Sequence, residues 1–266
     1  MKLSQITIYP IKSTAPLIYP SIEVKARGLG YDRHWALFDE NDQLITGREQ
    51  PKLLDLRTQL FADHLLVEQS NGRSLRIPLD YAGGEVKTFG FFSRTSPGLP
   101  LPADINDWFS EYLGFPCRLA YMNESVRRPV LARHGGQEGD LVSFADQAPI
   151  LLISTASLED LNRRLKQPVS ASNFRSNIIV DGCTRPYVED EWKRISIGGL
   201  EFDVVQGCKR CIFINIDPIT RQKGREPLKT LATYRRDDSG AVIFGVHLIP
   251  RSYGKIQLHD PIIVIK

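Results

Sequence analysis

The chain has 266 residues, 42% of them hydrophobic, enough to bury one large core or two packed ones without disulfide staples. Its 34 Lys and Arg nearly balance 31 Asp and Glu, for a net charge of +3, so composition gives no case for a nucleic-acid or membrane-surface protein. No apolar run is long enough to span a bilayer, and four cysteines without an export signal point to a reducing, cytoplasmic setting with free thiols.

Met1 to Pro10 alternates polar and apolar residues, which predicts a strand rather than a signal peptide. Pro10 ends it and leaves Lys12 and Ser13 in a loop. A Lys beside a hydroxyl suits a phosphate or another oxyanion, but such pairs are also common on plain surfaces. Ser21 to Lys25 is again strand-like, and Gly28-Leu29-Gly30 turns the chain into a segment where Arg33 stands between Asp32 and aromatic residues. The planar fork of Arg33 suits either an ion pair at a sheet edge or a phosphate or pterin carbonyl. Leu44-Ile45-Thr46 predicts a short strand and Gly47 to Pro51 a polar loop. Strand-like runs at 65–68, 75–79 and 85–89, punctuated by Asn71-Gly72 and Gly83-Gly84, predict an antiparallel barrel or sandwich. Ser96 to Pro102 is the stretch richest in Pro and Gly and reads as a surface linker. It divides a first part, 1–95, from a second, 103–266, whose last strands are free to pack back on the first.

Ile105, Trp108, Phe109 and Leu113 recur at helical spacing, and Cys117 lies in an alternating run where it serves as a small core hydrophobe. Arg127, Arg128, Arg133 and His134 form a basic patch, readable as a solvated loop or as a rim that receives an anionic partner. Asp146 precedes the buried strand Ile150 to Ile153, and Ser157 with Asp160 resembles a capping box for a helix that carries Leu158, Leu161 and Leu165. Arg175 and Asn177 stand at the mouth of strand Ile178 to Val180, where they bind heteroatoms of a ring or satisfy loop carbonyls. Glu189-Asp190-Glu191 reads as an acidic surface segment, and Gly198-Gly199 as a hairpin turn between 195 and 205. Cys208-Lys209-Arg210-Cys211 leads into the strand-like Ile212 to Ile216; a short helix follows Glu226-Pro227, and strands return at 242–249 and 262–265.

A single Cys-x-x-Cys admits three readings. Structural zinc needs four ligands, so Cys183 and one of His134, His247 or His259 would have to complete it. A redox dithiol calls for the pair at a helix start in a βαβ unit, whereas strand-like residues follow here. In the third, one thiolate binds a soft metal centre while Lys12, Ser13, Arg33, Arg175, Asn177, Lys209 and Arg210 hold an anionic organic cofactor.

These segments together carry a family likeness. Tyr9-Pro10-Ile11-Lys12-Ser13, Gly30 to Trp35, Ser154 to Asn162, Asn173 to Ile178, Gly182-Cys183 and Cys208 to Cys211 resemble, in order and spacing, the MOSC domain superfamily with an N-terminal MOSC β-barrel domain. Within it the likeness is to the amidoxime-reducing component type of bacteria and mitochondria, and it spans nearly the whole chain. The resemblance implies a mostly β fold, an N-terminal β-barrel domain packed on a C-terminal MOSC β-barrel with a few helices. It also implies Mo-molybdopterin, the molybdenum cofactor, at their junction. Cys211 would be the metal ligand, with Lys12, Ser13, Arg33, Arg175, Asn177, Lys209 and Arg210 around phosphate and ring. Asp146 would be a catalytic acid beside the metal; Gln147 and Ala148 fall where the family's cofactor contacts have other side chains.

The implied reaction is the two-electron reduction of small N-hydroxylated substrates: hydroxylamines, amidoximes and N-hydroxylated bases. Some bacterial relatives end in a ferredoxin-like [2Fe–2S] domain, but no cysteine follows Cys211 here, so no iron–sulfur cluster of that type is expected. Electrons would come from a separate ferredoxin-like or flavoprotein donor, for which the patch from Arg127 to Arg133 is a docking candidate. The competing expectation is a non-catalytic carrier of the cofactor or of sulfur.

Overall fold

In the computed structural model, which describes Met1 to Lys266, strands dominate. The first are β1 (Lys2–Ile8), β2 (Leu17–Tyr19), β3 (Ser21–Lys25), β4 (Gly28–Leu29), β5 (Trp35–Asp39), β6 (Arg57–Leu60), β7 (His64–Glu68), β8 (Ser74–Pro78), β9 (Lys87–Phe91) and β10 (Arg94–Pro100). There follow β11 (Cys117–Tyr121), β12 (Ile150–Ser154), β13 (Ile178–Asp181), β14 (Arg194–Ile197), β15 (Leu200–Lys209), β16 (Ile243–Pro250), β17 (Gly254–Gln257) and β18 (Ile262–Val264). The helices are α1 (Ala103–Leu113), α2 (Thr155–Arg164), α3 (Ala171–Phe174) and α4 (Leu228–Leu231).

Pairing gathers β18, β14, β15, β16, β12, β13, β1 and β2, in that order, into an eight-stranded sheet. Within it only β12 and β13 run parallel, and the connection that such a pair requires contains α2 and α3. Strand β1 pairs with β13 and β17 pairs with β3, so the two ends of the chain are woven into shared sheets. Three smaller sheets have the orders β5-β11-β10-β9, β17-β3-β4 and β6-β7-β8.

One core lies between the large sheet and β17-β3-β4, where Leu3, Ile6, Leu152, Ile178 and Val180 meet Val24, Leu29 and Ile256. The alternate residues Ile153 and Ile179 turn to the other face and pack with Leu161, Phe174 and Phe244. That is the pattern of a sheet covered on both faces. Full burial of side chains this size stabilises by about 1.5–3 kcal/mol each. A further core lies beneath α1, whose Ile105, Phe109 and Leu113 cover Trp35, Leu65, Val67 and Leu119. The predicted hairpin forms, with Gly198 and Gly199 at φ 57° and 89°, the positive values a primed turn demands. No helix is long and apolar enough to cross a membrane.

Several local expectations are corrected. Ser96 to Pro102 is not a linker: most of it is β10, with Ser96 and Leu99 buried. From 94 to 98 that strand pairs only with β9, and strands paired on one side tolerate proline. The helix expected to start at Ser157 starts three residues earlier, capped by Ser154, whose side chain accepts from Ser157 N. Ser157 instead donates to Glu189 at 2.7 Å, so Glu189 is a buried anchor rather than a surface acid. Ile212 to Asn215 form one turn of 3-10 helix, not a strand; the turn exposes Ile212 and buries Ile214, and short apolar runs do not reveal their period. Leu44 makes a single bridge to Phe38 and no strand.

Candidate cofactor cleft

Where loops of the large sheet meet those of the four-stranded sheet, a solvent-open cleft forms. Lys12, Ser13, Arg33, Asp146, Gln147, Ala148, Arg175, Asn177, Lys209, Arg210 and Cys211 all line it, although they come from segments up to about 200 residues apart. Ser13, Arg33 and Arg175 have φ of 73°, 52° and 54°. Such left-handed backbone at non-glycine positions is costly and clusters at functional sites.

Asn177 organises the floor. Buried at the start of β13, its Oδ1 accepts from Leu151 N and from Arg33 Nη1, both at 3.0 Å, while Nδ2 donates to Thr7 O at 3.0 Å. Arg33 also donates to Asp32 at 2.5 Å and to Arg175 O at 3.0 Å, and Asp32 accepts from Tyr9 N at 2.8 Å. Arg33 is therefore fully engaged in the frame. Arg175 lies over the Tyr9 ring at 3.9 Å and donates Nη1 to Thr14 O, but its buried Nη2 has no partner. Arg210 donates to Phe174 O at 2.6 Å and to Cys208 Sγ at 2.7 Å, and its buried Nε is likewise orphaned.

The two cysteines of the pair differ. Cys208, on β15, is buried; burial pushes its thiol up, but Arg210 and then His247 outweigh it and bring the group down to about 6. Cys211 ends that run as the cap of the 3-10 turn, exposed and facing the cleft. Asn173 ties the turn to α3 by donating to Ile214 O and Ile216 O at 3.3 and 3.4 Å. The lead-in is an antiparallel strand and the exit a single turn, unlike the βαβ setting of a redox dithiol. No three His, Cys, Asp or Glu side chains converge to hold a metal ion, so a four-ligand zinc site has no basis here.

Opposite stands the segment from Ser143 to Asp146, whose four consecutive carbonyls all accept from cations. Arg128 donates to Ser143 O and Ala145 O, Lys12 to Phe144 O at 2.9 Å, and Arg94 to Asp146 O at 3.2 Å. Arg128 is thereby buried over Phe91 and withdrawn from the basic patch expected as a docking rim; Arg127 and Arg133 remain exposed. Lys12 also pairs with the Asp146 carboxylate. Burial pushes the Lys12 ammonium down to about 8 against the pull of Asp146. The cleft's own desolvation pushes the Asp146 carboxyl up, yet Lys12, Arg48 and Arg33 hold it at about 2. With 57% of its side chain exposed, Asp146 faces the open mouth, where solvent screens part of that field.

Lys209 lines the cleft, but its ammonium turns outward to Ser239 Oγ at 3.1 Å and Asp237 at 3.6 Å. Thr46, Arg48, Phe92, Asn173, Phe213 and His247 also line the cleft, together with Cys208 and the apolar Ala145, Leu151, Phe174 and Ile214; none of the first six carries a cofactor role in the sequence reading. His247 shares the inward face of β16 with Gly245; its only sequence signal is alternation, and Arg48 sits in a loop that looks merely polar.

The cleft fits an anionic cofactor bearing a soft metal: a thiol exposed at its edge, two arginines with unpaired buried donors, and cations in excess of carboxylates. Comparison with known proteins agrees. Residues 1–116 match the MOSC N-terminal beta barrel domain and residues 139–263 the MOSC domain. Mitochondrial amidoxime-reducing component 1 of Mus musculus is 33% identical, across 99% of this chain and 82% of its own length. The human protein of that name is 30% identical, with 99% and 82% covered. The molybdenum cofactor sulfurase of Oryza sativa subsp. japonica is 34% identical across 92% of this chain but 32% of its own length.

Proposed function

Since the chain belongs to the MOSC domain family, with an N-terminal MOSC β-barrel domain and relatives associated with the molybdenum cofactor, we propose that it reduces N-hydroxylated compounds at that cofactor. The observation that carries this reading is the pairing of an exposed Cys211 with a Lys12–Asp146 proton-holding pair across one cleft. The cofactor, when bound, supplies the two-electron reduction of the N–O bond.

The chain's residues supply the rest. Cys211 would ligate the metal. Arg175 Nη2 and Arg210 Nε, arginine donors of the cleft left unpaired within the protein, would take the cofactor's phosphate, with Ser13 beside them. Arg33, braced by Asn177 Oδ1, holds the Arg175 backbone in place by donating to Arg175 O. Lys209 contributes its backbone rather than its ammonium. Reduction of R–N–OH to R–N–H and water consumes two electrons and two protons. Of the facing pair, Lys12, at about 8, carries a proton at neutral pH, whereas Asp146, at about 2, does not. Lys12 Nζ is therefore the donor toward the leaving oxygen and Asp146 the acceptor that aims it, while the proton that ends on nitrogen comes from solvent at the open mouth. Electrons arrive from a separate ferredoxin-like or flavoprotein donor, in a cytoplasmic setting.

Anaerobic incubation of cofactor-loaded protein with benzamidoxime and a reduced viologen donor tests the reading. Benzamidine formation that is lost in Cys211→Ser supports it. Loaded protein that forms no benzamidine but passes its cofactor stoichiometrically to an apo acceptor would make the chain a carrier instead.

A further inference from the structure

We infer that Arg48 and Phe92 form a carboxylate-binding subsite at the mouth of the cleft, so that the preferred substrates are N-hydroxylated compounds that also carry a carboxylate. The N-hydroxyl end of this statement rests on the reductase reading; the carboxylate end rests on the cleft alone.

Each cation of the cleft can be assigned to a partner except one. Lys12 is taken by Asp146 and Phe144 O, Arg33 by Asp32 and Asn177, and Lys209 by Asp237. Arg175 and Arg210 retain buried donors for the cofactor. The Arg48 guanidinium alone makes neither a hydrogen bond nor an ion pair, although the Asp146 carboxylate feels its charge; it lies over the Phe92 ring, 4.7 Å from its centroid.

Its position is built rather than accidental. Thr46, buried, is tied by its N–H and hydroxyl to the Glu49 carboxylate, and Arg48 N donates to Thr46 Oγ1 at 3.2 Å. Gly47 lets this loop close on the cleft, because a Cβ there would stand 2.7 Å from Phe213. Phe92 occupies the tip of the β9–β10 hairpin at φ 56° and is 42% exposed, an apolar plate held outward at a backbone cost. A guanidinium placed on such a plate is a point of bidentate recognition for a planar anion. One guanidinium balances one carboxylate charge; a phosphate dianion would call on a second cation, and the neighbouring Lys12 is already committed to Asp146.

The test compares benzamidoxime with 4-carboxybenzamidoxime on cofactor-loaded wild type, Arg48→Ala and Arg48→Lys. Calorimetric binding of the carboxylated compound to oxidised protein, where no turnover occurs, is a second readout. In wild type, kcat/KM favours the carboxylated substrate. That preference falls about tenfold or more in Arg48→Ala, chiefly through KM, as a charge-assisted contact is lost, and Lys restores part of it. A preference unaffected by Arg48→Ala, or an Arg48→Ala protein purified without pterin, overturns the subsite, the latter by making Arg48 a cofactor anchor. If neither compound turns over but calorimetry shows Arg48-dependent binding, the subsite stands and the reductase reading falls. If benzamidoxime turns over and binding ignores Arg48, the reverse holds.

Discussion

Replacing Asn177 by Ala tests whether one buried amide holds the cleft together. In wild type that amide satisfies the Leu151 N–H, an Arg33 N–H and Thr7 O at a site 1% exposed. Alanine leaves the Leu151 N–H without its acceptor and Thr7 O without that donor. An unsatisfied buried group costs about 1–3 kcal/mol, so the two together cost about 4 kcal/mol. For a chain of this length each kcal/mol lowers Tm by about 2–4 °C, which gives a fall of about 10 °C. Circular dichroism melting of cofactor-free protein measures it. Asn177→Asp keeps both acceptor contacts and should melt between the two. A Tm for Asn177→Ala within about 2 °C of wild type would refute the claim that these bonds matter.

Removing the donors of Arg128 while keeping its bulk, as in Arg128→Met, frees the carbonyls of Ser143 and Ala145; amide exchange in a peptide spanning 140–150 should quicken about tenfold or more, and unchanged exchange would show the clamp to be idle. Asp146 gives a pH signature. Its carboxyl is held at about 2 against 3.8 ordinarily, so the stability it contributes is complete above about pH 4 and is lost as pH falls through 4 to 2. Asp146→Asn should flatten the melting curve against pH only within that window, and identical profiles would contradict the pairing with Lys12. In turnover, loss of the Lys12 proton predicts a kcat/KM that declines above about pH 8, absent in Lys12→Met, whose residual rate should be pH-independent there; a wild-type rate flat to pH 10 would contradict Lys12 as donor.

Much of the fold can be read from apolar runs and turn chemistry, because strands such as β12 and β13 bury both faces and Gly198-Gly199 freely adopts the positive φ that its turn requires. What escapes the sequence are features decided by distant partners. Ser154, not Ser157, caps α2, and Glu189, 32 residues beyond Ser157, accepts from the hydroxyls of both serines. Arg128 looks like part of a surface patch until the carbonyls of 143 and 145 draw it inward. Ile212 to Ile216 has a strand's composition, yet the chain turns after Cys211 so that Phe213 can line the cleft and Ile214 enter the core. At the cleft, the residues proposed to hold the cofactor are legible through the family resemblance, and the fold brings them all to one lining. Arg48 and Phe92 are not legible in that way, since a polar loop and a hairpin tip acquire meaning only when the fold brings them together.

Metal and pterin analysis of protein expressed in a cofactor-competent host tests the central claim most directly, comparing wild type with Cys211→Ser and Cys208→Ser. Near-stoichiometric molybdenum is expected in wild type, with its loss in Cys211→Ser and its retention in Cys208→Ser, because the Cys208 thiol is buried and engaged by Arg210 whereas that of Cys211 is exposed. Zinc in place of molybdenum, or molybdenum that survives Cys211→Ser and vanishes in Cys208→Ser, would contradict that claim.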